Sequence, residues 1–146
     1  MANGPPPSTL CLLSELPSRE VREKVRFLGC VTSYSTASAT LRLEHQYPAD
    51  RPSVCALVNV DLVLERLGQQ QTRIGEWVNV IGYITSIHPS TDRRKPQGHG
   101  DPMVRVQALI IWSAGSLDVQ RYETSVDDLR PKKPSIGGDK LPSDTI

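Results

Sequence analysis

The sequence predicts an all-β fold: a small barrel of five strands closed on itself, with short helices as plug and cover. Three observations lead there. A thirteen-residue stretch, Val21 to Ser33, returns 53 positions later as Ile74 to Ser86, with Glu, Val, Gly, Thr and Ser at matching places. Both copies alternate as strands do, with Val25, Phe27 and Val31 on one face of the first and Val78, Val80 and Ile84 on one face of the second. Each copy also carries a glycine mid-strand, Gly29 and Gly82, which suits a sharp bend or a close backbone crossing. Bent strands are what closing a small barrel requires. The copies are too short to be solenoid units, so they read as two strands of one barrel.

The other elements fall into place around that pair. Residues 1–9 form a proline-rich lead, expected to be disordered or extended. Leu10 to Leu16 is an apolar segment ended by Pro17, placed across one mouth of the barrel. The first strand is Val21 to Tyr34, followed by a small-residue turn, Ser35 to Ser38. Thr40 to Tyr47 is the second, with Leu41 and Leu43 inward and Arg42 and Glu44 outward. Val54 to Val60 is the third, with Val54, Ala56, Val58 and Val60 on one face. Asp61 reads as the cap of a short helix that Gly68 stops. The fourth strand runs from Ile74 to Ile87, and a long loop rich in Pro, Gly and basic residues spans His88 to Pro102. Met103 to Trp112 is the fifth, with Val104, Val106, Ala108 and Ile110 on one side. Leu117 to Leu129 reads as a closing helix whose Val119, Tyr122, Val126 and Leu129 make one apolar stripe. From Pro131 no apolar period remains, so residues 10–130 are the domain and 131–146 a disordered tail. Three strands, a short helix and two strands is the order of the OB-fold, a five-stranded Greek-key barrel.

Composition excludes several functions. The net charge is +1, so no global field recruits nucleic acid or membrane, and any basic site must be local. Cys11, Cys30 and Cys55 lack metal-ligand spacing and sit in apolar runs, which points to inert, buried free thiols in a reducing compartment. The N-terminus reads as neither signal peptide nor membrane span, so a soluble intracellular protein without a membrane partner is expected. The acidic residues are scattered, and His45, His88 and His99 have no Cys or Ser partner at a motif spacing. No enzyme, metal or cofactor is therefore expected.

Two surfaces stand out instead. OB-folds bind single strands on the face of the second and third strands and the loops beside it, combining a basic groove with stacking rings. Arg42, Arg51, Arg93, Arg94 and Lys95 supply such charge, and Tyr47 is the candidate stacking ring. The other surface is the outside of the fifth, fourth and first strands. Leu109, Ile111, Trp77, Ile81, Tyr83, Leu28 and Cys30 are expected to point outward there. So broad an apolar belt needs a cover. The closing helix is one candidate, and a partner protein sharing the belt is the other, with Val119, Tyr122, Val126, Leu129, Ile81, Tyr83, Leu109 and Ile111 as contacts.

With these elements placed, the chain resembles the smallest (Ten-one) subunit of the CST telomere-capping complex in its fungal form. The resemblance spans roughly residues 8–130. It rests on Leu10 to Leu16, Val25 to Tyr34, Leu41 to Tyr47, Gly75 to Tyr83 and the closing helix. The combination of generic barrel strands with His45-Gln46-Tyr47 and the appended helix is its more specific part. Arg22 departs from the pattern, standing where many such barrels keep the glycine found here at Gly75. The resemblance implies a heterodimer with the Stn-one subunit through the closing helix, association with the large CST subunit, and binding of single-stranded telomeric DNA. It further implies assistance to lagging-strand fill-in by polymerase alpha–primase and a nuclear location at telomeres. Two alternatives share the same features: the small scaffold subunit of a replication protein A-like complex, and a protein-interaction adaptor without DNA contact.

Overall fold

The computed structural model describes residues 7–50, 53–88, 102–115 and 118–129. Along them run β1 (Thr9–Leu10), β2 (Lys24–Ser35), β3 (Thr40–Glu44), β4 (Cys55–Asn59), β5 (Trp77–His88), β6 (Met103–Ser113) and helix α1 (Val119–Leu129). The sheet order is β1-β2-β3-β4-β6-β5, and β5 pairs back onto β2, so the five long strands close into an OB-type barrel. One pairing in that ring, β4 with β6, is parallel.

The two copies of the repeat are β2 and β5, and they pair antiparallel about a local two-fold axis. Val25 faces Gly82, and Gly29 faces Val78, so exchanging the copies maps one pair onto the other. The ends obey the same symmetry. The Arg22 amide donates to the Ile84 carbonyl at 2.7 Å, and the Gly75 amide to the Val31 carbonyl at 2.8 Å. Arg22 (φ 79°) and Gly75 (φ 93°) take up the same left-handed turn. Glycine adopts it freely, whereas Arg22 does so at a cost of about 1–2 kcal/mol.

The mid-strand glycines allow close approach. A Cβ on Gly82 would lie 2.2 Å from the Gln107 carbonyl oxygen, and one on Gly29 would lie 2.8 Å from Leu43 Cβ. Inside, Val25, Phe27, Leu41, Leu43, Val58, Val78, Val80 and Val104 are fully buried. Each such side chain contributes about 1.5–3 kcal/mol by leaving water. The turn of 3-10 helix at Leu13–Ser18 adds Leu13 and Leu16 to that core, with Leu13 beside Gly29. The Arg19 guanidinium, ion-paired with Glu23, holds that carboxyl below the ordinary carboxylate range at the entry to β2.

Several expectations are corrected. Thr9, placed in the lead, pairs with Val25 as part of β1. The helix after β4 is a 3-10 turn, Asp61–Arg66, that Asp61 begins rather than caps. Asp61 Oδ1 instead accepts from Gln107 Nε2 at 3.2 Å. In β6 a register shift between the Ile81–Ile110 and Gly82–Ala108 pairs inverts the alternation. Ile111, expected outside, packs against the core, and Ile110, expected inside, is 50% exposed. Leu28 points outward but is fully buried.

Candidate partner face and strand-binding groove

Helix α1 is clasped to the barrel by polar pairs as well as by its apolar side. Asp118 Oδ1 accepts from the Arg121 amide at 3.2 Å, satisfying one of the free donors at the helix start. One turn in, Glu123 Oε2 lies 2.6 Å from His45 Nε2, and the Tyr47 hydroxyl donates to Asp127 Oδ2 at 2.6 Å. Glu123 and Asp127 are four helical residues apart and so share one face of α1. His45 and Tyr47 follow the end of β3 and flank a tight turn in which the Tyr47 amide donates to the His45 carbonyl at 2.9 Å. His45 is buried and meets the Trp77 ring edge-on at 5.1 Å and the Tyr47 ring in a stack at 6.2 Å. Its Nδ1 has no hydrogen-bond partner among the described residues.

The apolar stripe of α1 therefore faces its own barrel. Val126 is buried, Val119 and Tyr122 are half-buried, and of the four only Leu129 (69%) stands clear in solvent. Outward the helix shows Gln120, Arg121, Thr124, Ser125 and Asp128, all exposed. Burial pushes the Tyr122 hydroxyl up to about 12, and it pushes the Cys11 thiol, whose amide donates to the Arg26 carbonyl, up to about 12 as well. A thiol so placed stays protonated and unreactive.

Beyond α1 the outside of β2, β5 and β6 is half bare. Cross-strand rows run Leu28–Asn79–Trp112 and Arg26–Ile81–Ile110. The first row is buried by comparison with the second, in which Ile110 is half exposed and Ile81 half-buried. The Arg26 guanidinium lies 5.3 Å over the Trp112 ring. Tyr83, half-buried, joins Val21 (48% exposed), Arg22, Ile84 and Thr85 around an open hollow of about 440 Å³.

On the other flank a third row runs Ser33–Arg42–Leu57–Arg105 across β2, β3, β4 and β6. With Ser35, Ser38 and Thr40 these residues line a groove of about 390 Å³. Arg42 Nε donates to Glu44 along the same strand at 3.1 Å. Sequence reasoning missed Arg105. Its outward position between Val104 and Val106 is legible, but its place beside Arg42 depends on the parallel β4–β6 pairing. Of the residues expected in this groove, Arg42 is there, while Tyr47 lies under α1, drawn away by Asp127. Arg51, Arg93, Arg94 and Lys95 lie outside the described residues.

A family model described as telomere capping, CST complex subunit (Ten1) matches residues 1–127. The chain belongs to that family. Among solved structures it is similar to the S. pombe Stn1–Ten1 complex at 25% identity, covering 86% of this chain and 93% of that one with a TM-score of 0.62. It is also similar to the S. pombe telomere capping protein Ten1 at 24% identity, covering 84% and 96% with a TM-score of 0.59. A further likeness, to U. maydis replication protein A bound to single-stranded DNA, has 20% identity, coverage of 84% and 88% and a TM-score of 0.50. These last two bear on the fold alone. No curated protein matches the chain significantly. The matched range takes in the strand pair, the His45-Gln46-Tyr47 run and most of the closing helix.

Proposed function

We propose that this chain is a non-catalytic subunit that pairs with an Stn1-type protein and works with it, and with a large third subunit, on single-stranded telomeric DNA in the nucleus. Protection of chromosome ends and support of lagging-strand fill-in by polymerase alpha–primase are the roles that fit such a subunit. The observation that carries the pairing is the half-bare row Arg26–Ile81–Ile110, with Tyr83 and Val21 beside it, in a chain of this family. An apolar rim left open next to a docked helix is what a protein partner covers. The contacts differ from those expected at first. Ile81, Tyr83 and Ile110 are the anchors, whereas Tyr122 and Val126 act by seating α1, whose polar outer face supplies the rim.

Calorimetry with an Stn1-type partner tests this reading. Replacing Ile81 and Ile110 together by serine is expected to weaken pairing by about 2 kcal/mol or more, the scale of interface hot spots. An unchanged dissociation constant sinks it. For DNA, replacing Arg93, Arg94 and Lys95 by alanine in the heterodimer is expected to flatten the salt dependence by about 0.7 per lost phosphate contact. A wild-type slope would assign the contacts to other groups, and no DNA binding by the wild-type heterodimer would leave a protein adaptor.

A further inference from the structure

The chain has seven aromatic residues, and each has a place in the structure. Phe27 is in the core and Tyr34 packs against it. Trp77 and Tyr47 flank His45, and Tyr47 is bonded to Asp127. Trp112 lies under Arg26, Tyr122 is seated beneath α1, and Tyr83 borders the hollow at Val21. None lines the groove of Ser33, Ser35, Ser38, Thr40, Arg42, Leu57 and Arg105. A single-strand site normally joins cations that follow phosphates with rings that stack bases. Here the cations and hydroxyls are present and the rings are not.

We infer that this groove holds the sugar-phosphate backbone of a single strand without reading its bases, with Arg42 and Arg105 as the phosphate contacts. The inference rests on the DNA reading above and narrows it to a ligand class, the phosphodiester chain itself. Adjacent strands lie about 4.8 Å apart, so Arg42 on β3 and Arg105 on β6 stand about 9.5 Å apart at the backbone. Long flexible side chains bring that spacing within reach of neighbouring phosphates. Leu57, half-buried between them, offers apolar contact to a sugar or to any base alike. Ser33, Ser35 and Ser38 add hydroxyls along one edge, the kind of donors that bond phosphate oxygens and carry no sequence information, while Thr40 donates its own hydroxyl to the Ser38 carbonyl at 3.0 Å.

The test uses the full chain in its heterodimer and three fluorescent probes of equal length: oligo-thymidine, a mixed-sequence strand and an abasic strand. Wild type is compared with Arg42→Ala/Arg105→Ala over a range of salt. Both side chains are exposed, and an unchanged melting temperature confirms that the variant folds. The double variant should lower the salt slope by about 1.4 and weaken binding about 25-fold at 0.1 M salt. The factor should be the same on all three probes, the abasic strand included. A loss confined to the strands with bases overturns the inference, because the groove then reads or stacks bases. Equal affinity of variant and wild type on every probe also overturns it, because the row then touches no nucleic acid. If the wild-type heterodimer binds none of the probes, the DNA reading itself has failed, and this inference falls with it. An acidic peptide that competes with oligo-thymidine at matched charge would mark a general anion surface and overturn it too.

Discussion

β2 and β5 carry the same pattern, face each other about a local two-fold, and end in different surroundings. Leu28 on β2 and Ile81 on β5 are equivalent in the repeat, and both point out of the barrel. Leu28 is fully buried on the side that α1 covers, whereas Ile81 is half-buried in the open row. The mid-strand glycines differ as well. Gly82 is pressed against backbone of β6, and Gly29 against side chains of β3 and the N-terminal turn. Even the leading turns differ, with a glycine before β5 and an arginine before β2 in the same left-handed conformation. A repeat thus sets pairing and bending, while its neighbours decide what each copy is used for.

The glycines should break the equivalence most sharply. Gly82→Ala forces a methyl group into the Gln107 carbonyl, and the β5–β6 ladder must shift, at an expected cost of about 3 kcal/mol. Gly29→Ala meets Leu43 Cβ, which moves only with the β3 backbone, at 2.8 Å, and the end of the Leu13 side chain, which can turn aside, at 3.0 Å; a smaller loss of about 2 kcal/mol is expected. Urea denaturation of the two variants measures the gap; equal losses would remove the distinction. The outward pair comes next. Leu28→Ala should destabilise the chain by about 2–3 kcal/mol through the cavity it leaves under α1. Ile81→Ala should cost the lone chain under about 1 kcal/mol, because surface substitutions cost little. A large loss for Ile81→Ala would mean that its row is already covered.

An alkaline titration sharpens the same contrast, since Cys11 and Tyr122 both lie on the β2 side. Each is raised in the fold to about 12, from ordinary values of 9.0 and 10.0. The folded chain keeps protons that the unfolded chain releases. Stability is therefore full below pH 9 and falls as pH rises from about 9 towards 12, with a slope approaching 1.4 kcal/mol per pH unit per group. Tyr122→Phe should reduce that slope above pH 10 in denaturant midpoints, and an unchanged slope would show that Tyr122 is not shielded. The smallest effect concerns the leading turns. Arg22→Gly should stabilise by about 1 kcal/mol and Gly75→Ala should destabilise by a similar amount, opposite signs at equivalent positions.

Much of the fold was legible because strands with one buried face must alternate. The repeat, the inward sets Val25–Phe27–Val31 and Leu41–Leu43, and the order of elements could be read without coordinates. The bulge in β6 could not, because Leu109-Ile110-Ile111 is apolar at every position and alternation has nothing to grip. The site was less legible still. His45 and Tyr47 stood out as a run, but their partners Glu123 and Asp127 lie 78 and 80 residues away. Tyr47 looked like a stacking ring because a tyrosine near a basic strand commonly is one, and only the docked helix takes it out of that role.

The sequence by itself determined that two equivalent strands bend at glycines, that their inner faces are apolar, and that a closing helix carries one apolar stripe. These are local properties, written in residue type and period. Only the tertiary structure decided which outer face the helix covers, which leaves Ile110 half exposed and Ile81 half-buried. It alone set Arg105 beside Arg42, through a parallel pairing of strands some 48 residues apart. Such choices depend on which of several apolar surfaces meet, and burial is non-directional: periodicity says that a face will be covered, but not by what.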